Sequence, residues 1–288
     1  MKEKAKMIIK QLIPPIILEW RKKFRIKKGK KNYKSNQKIY NSFIEALSDC
    51  VKSGYDNEEI AEVVFRKTEI YKNYLSKISY LKCDFATSSL LVSLFFLNNS
   101  NEINVLDFGG ACGAHYFQCR KVLPENIKLN WVVIEKPQMI KYAKKWTNNE
   151  LSFAIDLNKA LKNISRIDIF HASAIIQYLD EPYKYLDLIL ESNAKYLLFN
   201  RMIFTLEDDD LITIQNNKLS WNGIGKLPYG FTDRLISYPL TIIKKHEFYK
   251  IFENKYKIVL EFNNEPMGFE NDNSIVNSGI LYRLRNDL

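Results

Sequence analysis

The stretch VLDFGGACGAHYF, residues 105–117, decides the fold. An apolar run reaches an acid, Asp107, and three glycines (Gly109, Gly110 and Gly113) fall within five positions before a helical pattern begins. A strand that feeds a helix through such a turn opens a doubly wound α/β sheet, and its glycines let backbone approach a neighbour closely.

Outward from this turn the chain alternates short apolar runs with helical patterns. The runs are INVLDF (103–108), LNWVVIE (129–135), LSFAI (151–155), IDIFHAS (167–173) and KYLLFN (195–200). Helical spacing falls near 114–122, 137–147, 157–163 and 182–192. Continuous apolar strands separated by helices predict a parallel sheet covered on both faces. A helix near Lys244–Glu253 then precedes YKIVLEF (256–262) and GILYRLR (279–285), which predict an antiparallel edge. The expected class is α/β: a Rossmann-like, doubly wound, mostly parallel sheet of about seven strands with an antiparallel edge strand, plus an N-terminal helical subdomain. Residues 101–288 form the sheet domain, with 205–243 as a substrate-side insertion. Residues 36–100 read as a helical cap with segments at Ile39–Val51, after a cap at Asp56, and at Phe85–Leu97.

Charge divides the chain unevenly. The net charge is +10, yet residues 1–38 hold 14 Lys/Arg against Glu3 and Glu19. That leaves 29 basic and 31 acidic side chains of the totals of 43 and 33, so the body is almost neutral. Nucleic acid is therefore not expected as a partner. Residues 1–35 read as a basic amphipathic tail. Lys10 and Pro14-Pro15 break its apolar stretch, which is too short to span a bilayer. A helix from Pro15 would carry Ile16, Ile17, Trp20 and Phe24 on one side and lysines on the rest, which suits an anionic membrane surface contacted through residues 1–34. The same face could instead pack on the protein. Cys50, Cys83, Cys112 and Cys119 show no CxxC spacing, pointing to a reduced, cytoplasmic compartment. His115, His171 and His246 do not fall at a metal-ligand spacing, so no metal is expected.

Three ligands compete for the glycine turn. A phosphate loop needs Lys-Ser/Thr after its last glycine, where Ala114-His115 stand. A dinucleotide loop needs glycines at 109, 111 and 114, and only Gly109 matches. The S-adenosylmethionine pattern needs an acid at 107 and glycines at 109, 111 and 113; Asp107, Gly109 and Gly113 match, Ala111 departs, and Gly110 adds a small residue. A second acid, Glu135, ends the second strand where ribose hydroxyls would need an acceptor.

These residues resemble class I S-adenosylmethionine-dependent methyltransferases, within them a bacterial group associated with surface-polysaccharide biosynthesis. The matching stretches are LDFGGACGAHYFQ (106–118), WVVIEKP (131–137), SAIIQYLDEPYKYL (173–186), LLFNR (197–201), TIQ (213–215) and SYP (237–239). The resemblance implies O-methylation of a sugar in a surface glycan or its lipid-linked precursor. It implies a cofactor loop of Asp107, Gly109, Gly110 and Gly113, with Glu135 on the ribose. Asp156 would sit at the adenine edge and Ser173 face the methionine part, though either could be an ordinary cap. The base is open. Relatives place a histidine after strand four, where this chain has Gln177 and Tyr178; Tyr178 and His115 are the candidates, and His171 reads as a core histidine. Gln177, Arg201, Gln215 and Tyr238 are candidates for the acceptor side, Arg201 for an anionic group. The rival readings are a cofactor-binding scaffold without catalysis, a methyltransferase acting on another small molecule or on nucleic acid, and a nicotinamide oxidoreductase.

Overall fold

The computed structural model describes residues 38–50, 57–97, 100–263 and 273–285; the tail at 1–37 lies outside them. The chain divides into two units, and apart from Asn273 the described residues belong to the larger, spanning 37–268 and 274–288.

The sheet begins where the apolar runs place it, with β1 (Glu102–Phe108), β2 (Lys128–Ile134), β3 (Leu151–Ala154), β4 (Ile169–Ser173) and β5 (Tyr196–Thr205). These five pair in parallel in the order β3-β2-β1-β4-β5. The winding therefore reverses between β1 and β4, the point where such sheets open a crevice. β9 (Ile275–Leu284) runs antiparallel beside β5, and β8 (Tyr256–Asn263) pairs antiparallel outside it. β8 and β9 thus form the antiparallel edge that the sequence predicts.

Helices cover both faces because side chains alternate along each strand. On one face Leu106, Phe108, Phe170, Leu197 and Phe199 pack with α6 (Leu157–Asn163), α7 (Pro182–Glu191) and α8 (Lys245–Glu253). On the other, Val105, Trp131, Ile169 and Leu198 meet α3 (Phe85–Phe95) and α4 (Ala114–Val122). Burying one such side chain stabilises the fold by roughly 1.5–3 kcal/mol. Two shorter helices, α1 (Phe43–Asp49) and α5 (Pro137–Ala143), and the long α2 (Glu58–Leu75) complete the set. Asn57, not Asp56, caps α2, its side chain accepting from the Glu59 amide.

Two features depart from the sequence reading. β5 does not end at Asn200. It continues to Thr205 through a bulge between Phe199 and Met202, so the inward residues change from Leu197 and Phe199 to Met202 and Phe204. Arg201 sits in this bulge with φ +52° instead of ending the strand. The region 205–243 holds β6 (Leu211–Lys218) and most of β7 (Leu235–Lys244), an antiparallel pair joined to β5 only at Phe204 and Thr205. A third core cluster ties this hairpin to α2 and α5 through Ile60, Val64, Phe65, Met139, Leu219 and Tyr238. Lys67, 1% exposed, secures it further by donating to the carbonyls of Ser220, Asn222 and Gly223 at 2.8, 2.6 and 3.0 Å.

Candidate active site

At the carboxyl end of β1 the loop folds back over its own acid. A Cβ on Gly110 would lie 2.4 Å from Asp107 Oδ2, and one on Gly109 would lie 2.9 Å from the Ile175 side chain. The two glycines are therefore required by the protein's own packing as well as by any approaching ligand. Gly113 (φ +79°) caps α4 in a left-handed conformation. Ala111, standing where the glycine pattern departs, also adopts a left-handed conformation at φ +51°. Its amide donates to Glu135 Oε1 at 3.1 Å, which binds the loop to the end of β2.

Asp107 is 1% exposed. Its Oδ1 faces His171 Nδ1 at 2.9 Å, while Oδ2 faces His115 Nδ1 and Trp131 Nε1, each at 3.3 Å. Burial alone would raise its carboxyl pKa, but the two imidazoles hold it well below the usual carboxylate range. His171 is fully buried, and desolvation holds its pKa below the ordinary imidazole value of 6.5. It is then a neutral N–H donor at pH 7. Its Nε2 lies 3.3 Å from Asn200 Nδ2, and Asn200 Oδ1 accepts from Ser89 at 2.8 Å. A chain of polar groups thus crosses from α3 through β5 and β4 to β1.

Folding joins residues that sequence spacing kept apart. Asp107, His115 and His171 each present a ligand-type atom within 4.8 Å of the others, the composition of a metal site. Both Nδ1 atoms are engaged by Asp107 through hydrogen bonds, so the cluster coheres as an acid with N–H donors.

Glu135 differs. It is partly exposed, with Oε1 accepting from Ala111 and Oε2 from the Lys136 amide at 2.9 Å. Burial pushes its carboxyl pKa up. Among the described residues two of its four acceptor positions are used, so the carboxylate can still take hydrogen bonds from a pair of hydroxyls.

Across the switch point, β4 ends in Ser173, whose hydroxyl accepts from Arg201 Nε at 3.0 Å. Ala174 follows at φ +52°. Gln177 is 1% exposed; Nε2 donates to the Arg201 carbonyl at 3.1 Å, and Oε1 is buried without a partner among the described residues. Three of the four non-glycine residues with positive φ among those described (Ala111, Ala174 and Arg201) stand at the ends or bulge of β1, β4 and β5. Such strain gathers at functional sites. The Tyr178 hydroxyl donates to Gln215, and its ring meets Tyr238 edge-on at 6.0 Å. Tyr238 donates to Asn222 at 2.9 Å, and burial pushes its phenol pKa up.

The fold therefore brings Asp107, Gly109, Gly110, Gly113, His115 and Glu135 to one place. Ser173, Gln177 and Arg201 stand at the next strands, and Tyr178 lies against the cross-strand pair Gln215 and Tyr238 of the hairpin. Asp156 caps α6, its side chain accepting from the Lys159 amide at 3.0 Å. Sequence reasoning missed Asn200, Ser89 and Trp131 as supports of the acid. Their link to Asp107 runs through strand pairing, with Asp107 opposite His171 in the parallel register, which no spacing along the chain displays.

No family model matches the chain, and no curated protein matches it. Solved structures similar to it include an S-adenosylmethionine-dependent methyltransferase from Clostridium acetobutylicum, 13% identical over 75% of this chain and 98% of that one, with a TM-score of 0.44. Another is the N-terminal domain of EvdMO1 in the presence of SAH and D-fucose, 11% identical over 76% and 97%, with a TM-score of 0.45. A third is magnesium protoporphyrin IX methyltransferase from Synechocystis with bound SAH, 11% identical over 80% and 100%, with a TM-score of 0.44. None assigns a residue or a ligand to this chain.

Proposed function

We propose that this chain is an S-adenosylmethionine-dependent methyltransferase that O-methylates a sugar of a surface polysaccharide or its precursor at the cytoplasmic face of the membrane. The observation that carries the reading is Glu135. It is a partly exposed carboxylate with open acceptor positions, tied through Ala111 to a left-handed glycine loop beside the switch point. Those acceptor positions fit a ribose and the open loop fits an amino-acid moiety lying across it, while Ala114-His115 stand where a phosphate loop would carry Lys-Ser/Thr.

The cofactor supplies an electrophilic methyl group on a sulfonium, already a good leaving group, so positioning supplies much of the rate. Glu135 accepts from the ribose hydroxyls. Gly109, Gly110 and Gly113 let the loop lie flat, and buried Asp107 sets a negative field that favours the ammonium. Ser173 borders the methionine part; Asp156 borders the adenine while capping α6. Gln177, Arg201, Gln215 and Tyr238 border the acceptor, Arg201 offering its guanidinium to an anionic group. Proton removal falls to His115 or Tyr178. The near-neutral body speaks against nucleic acid, and residues 1–34 serve as the contact with an anionic membrane surface. No described helix is long and apolar enough to cross a membrane.

Calorimetry with S-adenosylmethionine, S-adenosylhomocysteine and NAD tests the cofactor; binding of NAD alone would overturn the reading. Mass spectrometry of surface glycans from cells with and without the gene tests the acceptor, the expected result being loss of one methyl increment. A second reading, a cofactor-binding scaffold without catalysis, is favoured by Gln177, which stands in the segment after β4 and cannot serve as a base. Bound S-adenosylmethionine with no methyl transfer to any glycan fraction would select it.

A further inference from the structure

We propose that His115, oriented by Asp107, is the general base that removes the proton from the acceptor hydroxyl, and that His171 and Asn200 are positioning residues acting through Asp107. This inference rests on the methyltransferase reading above.

The tautomers follow from the donors. A carboxylate only accepts, so the Nδ1 atoms of His171 and His115, at 2.9 and 3.3 Å from Asp107, carry their protons toward it. For His171 the opposite end agrees. Ser89 donates to Asn200 Oδ1, which leaves the amide nitrogen of Asn200 to donate to His171 Nε2. His171 is sealed on every side and cannot meet a substrate.

His115 shares the acid but not the burial. Its side chain is 17% exposed, and among the described residues its Nε2 has no hydrogen-bond partner. It is the second residue of α4, directly after the glycine loop, with its ring edge-on to His171 at 4.8 Å. An anion buried behind a partly exposed imidazole, with Nδ1–H on the anion and a lone pair on the far nitrogen, is the arrangement by which a histidine takes a proton and is stabilised as imidazolium.

The charged and titratable groups around His115 are Asp107 on β1, His171 on β4 and Asp84 at the cap of α3. Arg201 on β5 acts on both Asp84 and His171. Both acids favour the imidazolium that the step creates. The alternatives are less suited: Gln177 cannot accept a proton, and the Tyr178 hydroxyl is occupied in donating to Gln215. In the step, His115 Nε2 takes the hydroxyl proton while an oxygen electron pair forms the new O–CH₃ bond. The S–CH₃ bond breaks with its pair kept by sulfur, leaving a neutral thioether, and His115 returns the proton to water.

The test uses the full chain. Long-range ¹H–¹⁵N spectra should show His115 protonated at Nδ1 and unprotonated at Nε2. The Nε2–H tautomer would overturn the proposal without any acceptor. With methyl-labelled S-adenosylmethionine and the glycan fraction from gene-deleted cells, His115→Gln should bind the cofactor within about threefold of wild type. Its kcat should fall about 10²–10⁴-fold, and the acidic limb of the pH–rate profile should vanish. His171→Asn should keep that limb but shift it, with a smaller loss of kcat. An unchanged kcat in His115→Gln, or a weakened cofactor affinity with kcat intact, would overturn the inference while leaving the methyltransferase reading standing. Wild-type protein that binds no S-adenosylmethionine would overturn that reading itself.

Discussion

Adjacent parallel strands, β1 and β2, end in acids that the fold treats in opposite ways. Glu135 lies two levels of the register beyond Asp107, since Asp107 pairs with Val133 and Phe108 with Ile134. Asp107 is enclosed and receives three side-chain N–H donors, so its charge is settled by the protein itself. Glu135 has only two backbone amides, and burial works against its ionised form. The first acid is complete as folded, whereas the second keeps acceptor positions open among the described residues. The loop between them serves both, with Gly110 over Asp107 and the Ala111 amide on Glu135.

Removing the completed acid should produce the largest effect. Asp107→Ala leaves the buried N–H groups of His171 and Trp131 without their acceptor. Breaking a buried charged network costs about 3–5 kcal/mol, which a shift of the urea midpoint at constant slope would report. A midpoint within error of wild type would mean that Asp107 is not structural, and the contrast with Glu135 would collapse. Glu135→Gln should do the reverse. Stability should change by less than about 1 kcal/mol, because a disfavoured charge disappears. Affinity for S-adenosylmethionine should fall by roughly 1.5–3 kcal/mol, the range for hydrogen bonds to a charged group. Calorimetry on the variant checks this, and undiminished affinity would remove Glu135 from the site.

The two acids also separate by pH. His171 has a pKa below its ordinary 6.5, so the unfolded chain takes up that proton first. Stability should therefore fall as pH drops below about 6.5, by at most roughly 1.4 kcal/mol per pH unit for this group. Asp107, lowered from 3.8, contributes stability that is present above that value and lost further down. Glu135, raised above 4.5, has the opposite sign and favours the folded state as pH falls toward 4.5. Thermal midpoints between pH 5 and 6.5 should fall more steeply for wild type than for His171→Asn. Equal slopes would mean that the His171 proton is not what the acid environment controls.

Much of this arrangement was legible in the sequence, and the reasons divide cleanly. The runs 103–108, 129–135 and 167–173 are continuously rich in apolar residues, as strands covered by two helical layers are, and they and the shorter edge run 151–155 each became a parallel strand. Asp107, Glu135 and the glycines could be placed because they end strands, where spacing along the chain carries position in space. The support of Asp107 was not legible. His171 is 64 residues away and Asn200 is reached only through strand pairing. Arg201 and Ala174 carry no glycine signature for their positive φ, since surrounding packing imposes it. The region 205–243 was read as a substrate-side insertion with no strands assigned in it, although LITIQNNK and LISYPLTIIK are rich in β-branched residues. Pro239, within the second run, stands opposite Ile214 in that pair.

The smallest expected effect sharpens the contrast at the residue that joins the two acids. Ala111 holds φ +51° so that its amide reaches Glu135 while Gly110 stays over Asp107. A left-handed alanine costs roughly 1–2 kcal/mol relative to the right-handed form. Ala111→Gly removes that strain but adds unfolded-chain entropy worth about 0.4–1 kcal/mol. The difference should leave the variant more stable by about 1 kcal/mol or less, seen as a modest rise in thermal midpoint. Cofactor affinity should stay near wild type, because the amide remains to hold Glu135. A variant less stable than wild type would show that the Ala111 methyl group contributes packing in the third core cluster, against which it lies, that outweighs the strain.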